Sequence, residues 1–169
     1  MNQEQFSERK DNTHQVKLIG LINNKRIERY VNKNLVSDSD LIKWKLFIPK
    51  SNGTGAFGET LSTPIVGEPL TGCTESFIQI GPFDSQTEAQ NCLNYIKTKL
   101  CRALLGTLKV TQDNPKSVWK NIPIQGFTTN SDIDWNKTIP EIDQQLYKKY
   151  KLSEEEIDFI ECMIKPMSE

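Results

Sequence analysis

The stretch that most constrains the fold runs from Cys73 to Val110, CTESFIQIGPFDSQTEAQNCLNYIKTKLCRALLGTLKV. Phe77-Ile78-Gln79-Ile80 is a β-prone run that Gly81-Pro82 brings to an end. Ser85-Gln86-Thr87-Glu88 then fits a capping box, in which a hydroxyl and a carboxylate satisfy backbone donors at a helix start. Ala89, Cys92, Leu93, Ile96, Leu100, Ala103, Leu104 and Leu108 recur at helical spacing. One long helix is therefore expected from Ser85 to Thr107, with these side chains along its buried face. Asn94, Thr98, Arg102 and Lys109 fall on the opposite, solvent-facing side, and Lys97 and Lys99 flank the stripe. A strand turning tightly into an amphipathic helix needs a sheet for that helix to cover.

The rest of the chain supplies one. Val16–Ile22 and Arg26–Val31 read as strands joined by a turn at Asn23-Asn24-Lys25, a hairpin. Trp44-Lys45-Leu46-Phe47-Ile48 alternates as a third strand ending at Pro49, and Asp38 to Lys43 reads as a short helical or turn segment. A long glycine-rich loop follows from Lys50 to Thr71; loops of that length in compact domains are usually functional. Beyond the long helix comes a polar, basic loop from Thr111 to Lys120, then a short extended Ile122-Pro123-Ile124. The tail reads as two helices. Ile139 to Tyr150 carries Ile139, Ile142, Leu146 and Tyr150 on one face, and Ser153-Glu154-Glu155-Glu156 opens a second helix lined by Ile157, Ile160, Met163 and Ile164. The expected fold is thus α/β of the α+β kind: a twisted mixed sheet, one long central helix, and a C-terminal helical tail. The expected division is 1–130 for the sheet-and-helix domain and 131–169 for the tail packed on it.

Net charge is −1 over 169 residues, but the charges are segregated. Between Tyr95 and Asn121, Lys97, Lys99, Arg102, Lys109, Lys116 and Lys120 face Asp113 alone, a pattern that suits one surface for an anionic partner. No apolar run approaches the ~20 residues that span a bilayer, and the polar start MNQEQFSERK is no signal peptide. Cys73, Cys92, Cys101 and Cys162 form no CxxC pair, so free thiols in a reducing cytoplasm are expected.

Catalytic signatures are missing. His14 is the only histidine, so neither a histidine triad nor a multi-histidine metal site can be built. Gly53-Thr54-Gly55-Ala56-Phe57-Gly58 has the GxGxxG form, but the following Glu59-Thr60-Leu61-Ser62-Thr63-Pro64 offers no helix to face a dinucleotide or S-adenosylmethionine. A flexible, backbone-exposing loop is the better reading. Asp132 and Asp134 lie in a polar setting that reads as a solvated loop, and no metal or cofactor is expected in the chain. In the basic loop, lysines suit phosphates, and amide and hydroxyl side chains suit base edges.

The order of elements resembles the C-terminal target-recognition region of adenine-specific DNA methyltransferases of restriction–modification systems, including fused restriction–methylation enzymes. The residues that carry it are Trp44-Lys45-Leu46-Phe47-Ile48-Pro49-Lys50 with its glycine loop, Thr74-Glu75-Ser76-Phe77, and Leu108-Lys109-Val110-Thr111-Gln112-Asp113-Asn114. They continue with Trp119-Lys120-Asn121-Ile122-Pro123-Ile124-Gln125 and Asp143-Gln144-Gln145-Leu146-Tyr147-Lys148-Lys149-Tyr150 followed by Leu152-Ser153-Glu154-Glu155-Glu156-Ile157. The helix, polar loop and Ile-Pro-Ile pattern is also similar to specificity subunits of type I systems. The resemblance implies a domain that docks on double-stranded DNA beside a catalytic methyltransferase domain. The family's Asn-Pro-Pro-Tyr-type motif and its S-adenosylmethionine turn are both missing, so the chain reads as a non-catalytic, separately expressed recognition fragment. S-Adenosylmethionine is then expected in the parent catalytic domain. The DNA-binding residues expected are Lys50, Asn52, Thr54, Arg102, Lys109, Thr111, Gln112, Asn114, Lys116 and Lys120. The alternative reading is a protein-interaction module that docks a partner subunit through its acidic helical tail.

Overall fold

The computed structural model describes residues 5–51, 56–108, 113 and 115–167, and the chain builds two three-stranded sheets. In the first, β1 (Val16–Ile22) and β2 (Lys25–Val31) pair antiparallel without a break from Val16 opposite Val31 to Ile22 opposite Lys25. The turn is two residues long. Asn23 and Asn24 have φ of 50° and 59°, the left-handed pair whose twist matches the strands it joins. The second sheet holds β3 (Trp44–Pro49) between β4 (Ile65–Gly67) and β6 (Phe77–Phe83), both antiparallel to it. β5 (Thr71–Cys73) joins the first sheet instead, parallel to β1. The α+β class stands, but the single mixed sheet expected from sequence is two sheets. The reason lies in the Lys50–Thr71 stretch: its strands β4 and β5 are three residues each, too short to show as patterns, and they go to different sheets.

β3 is where the two sheets meet. Leu46 and Ile48 join the main core, while Phe47 points the other way into a small cluster with Ile19 of β1 and Phe77 of β6. Gly67 of β4 is required there, because a Cβ would lie 2.2 Å from the Phe47 ring. Lys45 is fully buried, and its ammonium reaches Asp38 at 2.8 Å. Burial works against the Asp38 carboxylate, yet the Lys45 hydrogen bond holds its pKa below the ordinary value.

The long helix is two helices. Ser85 caps α1 (Gln86–Lys97), accepting the N–H of Glu88 as its sequence foretold. At Thr98 the backbone turns extended, with ψ of 151°, and α2 (Lys99–Leu108) starts afresh. Thr98 serves both ends: its hydroxyl donates to the Tyr95 carbonyl at 2.6 Å and accepts the Cys101 N–H at 3.2 Å. Asp143, from α4 (Ile139–Tyr150), takes the other free donors of α2, the N–H groups of Lys99 at 2.9 Å and Leu100 at 3.0 Å. Arg102 turns back toward the end of α1, its Nε donating to the carbonyls of Lys97 and Thr98.

This break changes which side chains are inside. α1 keeps the expected stripe, burying Ala89, Cys92, Leu93 and Ile96 over the second sheet. In α2 the phase is reset: Leu100 and Ala103 stay buried, Cys101, Arg102 and Leu105 join them, and Leu108 comes out to 36% exposure. The tail closes the core. α4 begins with the capping box Thr138/Glu141, and α5 (Glu154–Met163) with Ser153/Glu156. Ile142, Leu146, Tyr147 and Ile160 share one buried cluster with Leu46, Ile78, Ile96 and Leu100, so a single core runs from the second sheet into the tail.

Two consequences can be measured. Leu100 is 4% exposed at the contact of α2 with the tail, so Leu100→Ala is expected to cost ~2–5 kcal/mol in urea unfolding through lost burial and a cavity. For Asp143, burial pushes the carboxyl up to about 6 from 3.8, despite the two backbone donors that favour its charge. A carboxyl raised in the folded state stabilises fully below its unfolded pKa and loses that stabilisation as pH rises through its folded one. Between pH ~4 and ~7 the native chain should therefore lose about 2 kcal/mol relative to Asp143→Asn, as read by paired urea titrations at the two pH values.

Candidate nucleic-acid interface

Lys50 and Lys116, distant in sequence, line one surface cleft of about 610 Å³. Three chain segments make it. β3 ends at Pro49, and the Lys50 N–H donates to the Ser76 carbonyl at 3.0 Å, fixing the start of the glycine loop beside Glu75 and Ser76. Ser51 then forms an antiparallel bridge with Asp113, reinforced by its hydroxyl donating to the Asp113 carboxylate at 2.8 Å. Pro115 follows and opens the single-turn α3 (Lys116–Trp119); its missing N–H is no loss at a helix start. The third segment is the hairpin end, which contributes Leu21 and Asn24.

The sequence-expected residues divide into three groups. Lys50 and Lys116 are exposed and brought together in the cleft, and Lys120 is exposed but does not line it. Arg102 does not reach the surface at all. It is 3% exposed, and its two terminal guanidinium nitrogens have no hydrogen-bond partner. Desolvation lowers its pKa, with the nearby Asp143 carboxylate opposing that effect. The expectation of Arg102 on a solvent face is corrected: the break at Thr98 turns its position inward, where it serves the helix joint. Asn52, Thr54, Lys109, Thr111, Gln112 and Asn114 lie outside the described residues.

The charge pattern is redistributed in the same way. Of the basic run between Tyr95 and Asn121, Arg102 is spent inside and Lys99 is paired with Glu161 of α5. The cleft itself holds two lysines and two carboxylates, Glu75 and Asp113, so it is mixed in charge. The segment reasoning missed the hairpin end, Glu75 and Ser76. Asn23-Asn24 was legible as a turn, but only the strand register shows that it comes to the cleft.

The remaining candidates have structural partners. Asp132 is paired with Lys149 at 2.8 Å, and Asp134 accepts the Asn136 N–H at 3.1 Å. Among the described residues no group of three or more His, Cys, Asp or Glu side chains is placed to hold a metal ion. Cys73 lies near the cleft, but burial pushes its thiol up to about 11, above any nucleophilic range, although Lys45 pulls the other way. Burial likewise pushes the Cys92 thiol up to about 12. No helix starts after the GxGxxG run; Phe57 instead stacks near Phe159 of α5 at 5.8 Å. Another cavity, about 260 Å³ between Phe83, Tyr95, Trp119, Ile122 and Phe127, has a lining without charged groups and suits an apolar side chain. No described helix is long and apolar enough to cross a membrane.

Comparison of the chain with protein-family models, with curated proteins and with solved structures finds no match.

Proposed function

We propose that this chain is a non-catalytic DNA-recognition module that supplies sequence-specific recognition to an adenine-specific (N6) DNA methyltransferase of a restriction–modification system. The observation that carries the reading is the Ser51–Asp113 bridge. It sets Lys50, at the entry of the glycine loop, beside Lys116 of the basic segment, the two stretches whose side chains are expected to meet DNA. Ammonium groups there suit phosphates, which position a duplex without reading it. Gln112 and Asn114, from the same stretch of sequence, carry the paired donor and acceptor that match adenine in the major groove. The partners are double-stranded DNA and a catalytic domain that holds S-adenosylmethionine, in the cytoplasm.

Binding of a fluorescein-labelled duplex by the chain, followed against salt concentration, tests the reading. Counterion release predicts a steep, linear log–log dependence, and Lys116→Ala should lower its slope by about one. Glu75→Gln removes a like charge from the cleft and should tighten binding. A duplex affinity that is negligible at low salt, or indifferent to salt, rules the proposal out.

A second reading rests on a different face. α5 carries Glu154, Glu155, Glu156 and Asp158, with Phe159 54% and Met163 46% exposed beside an apolar groove against α2. Such a face would dock a partner subunit, and its binding would not require the cleft lysines. The two readings separate on Lys116→Ala, which weakens the first and leaves the second untouched.

A further inference from the structure

We infer that the distal end of the β1–β2 hairpin, Leu21 to Arg26, is a two-stranded ribbon that enters a groove of the DNA duplex, with Lys25 on a phosphate and Asn24 on a base edge. This rests on the DNA-recognition reading and adds to it an element that neither the basic loop nor the glycine loop contains.

The first ground is shape. β5 pairs with β1 only at Lys17, Leu18 and Ile19, so the hairpin beyond Gly20 has no strand on that side. Among the described residues β2 pairs with β1 alone apart from a bridge between Ser7 and Tyr30, which lies away from the tip. The six residues Leu21–Arg26 are all exposed, and the tight turn makes the end only two strands wide. A two-stranded β-ribbon is one of the shapes the major groove admits.

The second ground is chemistry. From Gly20 to Ile27 the sequence holds Lys25 and Arg26 and no carboxylate. Leu21 and Ile22 are 38% and 54% exposed at the end of a strand whose other apolar residues are buried or half-buried, and apolar side chains there suit thymine methyl groups. The amides of Asn23 and Asn24 make no hydrogen bond among the described residues. Their φ values require residues tolerant of the left-handed region, and asparagine meets that need while keeping a donor and an acceptor at the tip.

The third ground is anchoring and placement. Arg26 does not point away with the tip: its guanidinium donates to the Thr63 carbonyl at 2.7 Å and lies 5.8 Å from the centre of the Phe77 ring. At the other end, Lys17 pairs with Glu68 at 3.0 Å and with Glu28 at 3.8 Å. The ribbon is thereby held to the second sheet as well as to its own. Asn24 lines the same cleft as Lys50 and Lys116, so the tip and the two lysines face one bound duplex together.

Salt titration of duplex binding with the full chain decides the matter, using a short fluorescein-labelled mixed-sequence duplex as probe. Lys25→Ala should lower the log–log salt slope by about one, and Lys25→Arg should restore it. Asn24→Gly keeps the left-handed backbone and should weaken binding about fivefold with the slope unchanged, since a neutral contact is removed. The side chains are exposed, so melting temperatures should match that of the unaltered chain, which excludes a folding defect. If Lys116→Ala weakens binding while Lys25→Ala and Asn24→Gly leave it unchanged, the ribbon inference is overturned and the DNA reading stands. Failure of the unaltered chain to bind the duplex overturns both.

Discussion

The structure depends on a single carboxylate. Asp143 is 1% exposed and spans a gap that no other described side chain fills, accepting the first two N–H groups of α2 from a different helix. Those donors would otherwise be unsatisfied within the core, at about 1–3 kcal/mol each. Thr98 and Arg102 complete the joint, one hydroxyl bridging the two helices and one guanidinium closing the end of α1. A cation at the carbonyl end of one helix and an anion at the amide end of the next both oppose the helix dipoles favourably.

Because of that joint, α1 and α2 do different work. α1 covers the second sheet, whereas α2 packs against α4 and α5. A straight helix of the same length would have kept one apolar stripe and sent Arg102 to solvent. The break instead rotates α2 and moves Leu108 outward. α2 also contacts α3, which carries Lys116 of the cleft, and Asp113 just before it meets Ser51. The tail is thus part of the framework that positions the cleft, although its own surface lies elsewhere.

Much of this was readable from the sequence. The hairpin, β3 and both tail helices stand where periodicity and capping boxes place them, because each is long or carries a strong local signal, whereas β6 begins at Phe77 as expected but runs through Gly81-Pro82 to Phe83. The break at Thr98 was not readable. Threonine is tolerated inside helices, and the cause of the break lies some forty residues on, in an aspartate whose role is visible only in three dimensions. The burial of Lys45 was not readable either, since only the fold shows that Asp38 meets it inside. Of the candidate site, Lys50 and Lys116 were legible as basic loop residues, and their meeting in one cleft is seen only in the fold. Asn24 and Glu75 were missed because a turn and a pre-strand residue carry no chemical signal of their own.

Gly58 ties the glycine loop to the end of the chain. Its φ is +80°, a Cβ there would sit 2.0 Å from the Met163 carbonyl oxygen, and its own carbonyl accepts the Lys165 N–H at 3.1 Å. Those partners are separated by roughly 100 residues, so this contact closes one of the largest loops in the molecule. During synthesis the hairpin and both sheets can form while the tail is still inside the ribosome, but the seat for Gly58 cannot. Gly58 can take its seat only once Met163 and Lys165 have emerged, well after both sheets have formed.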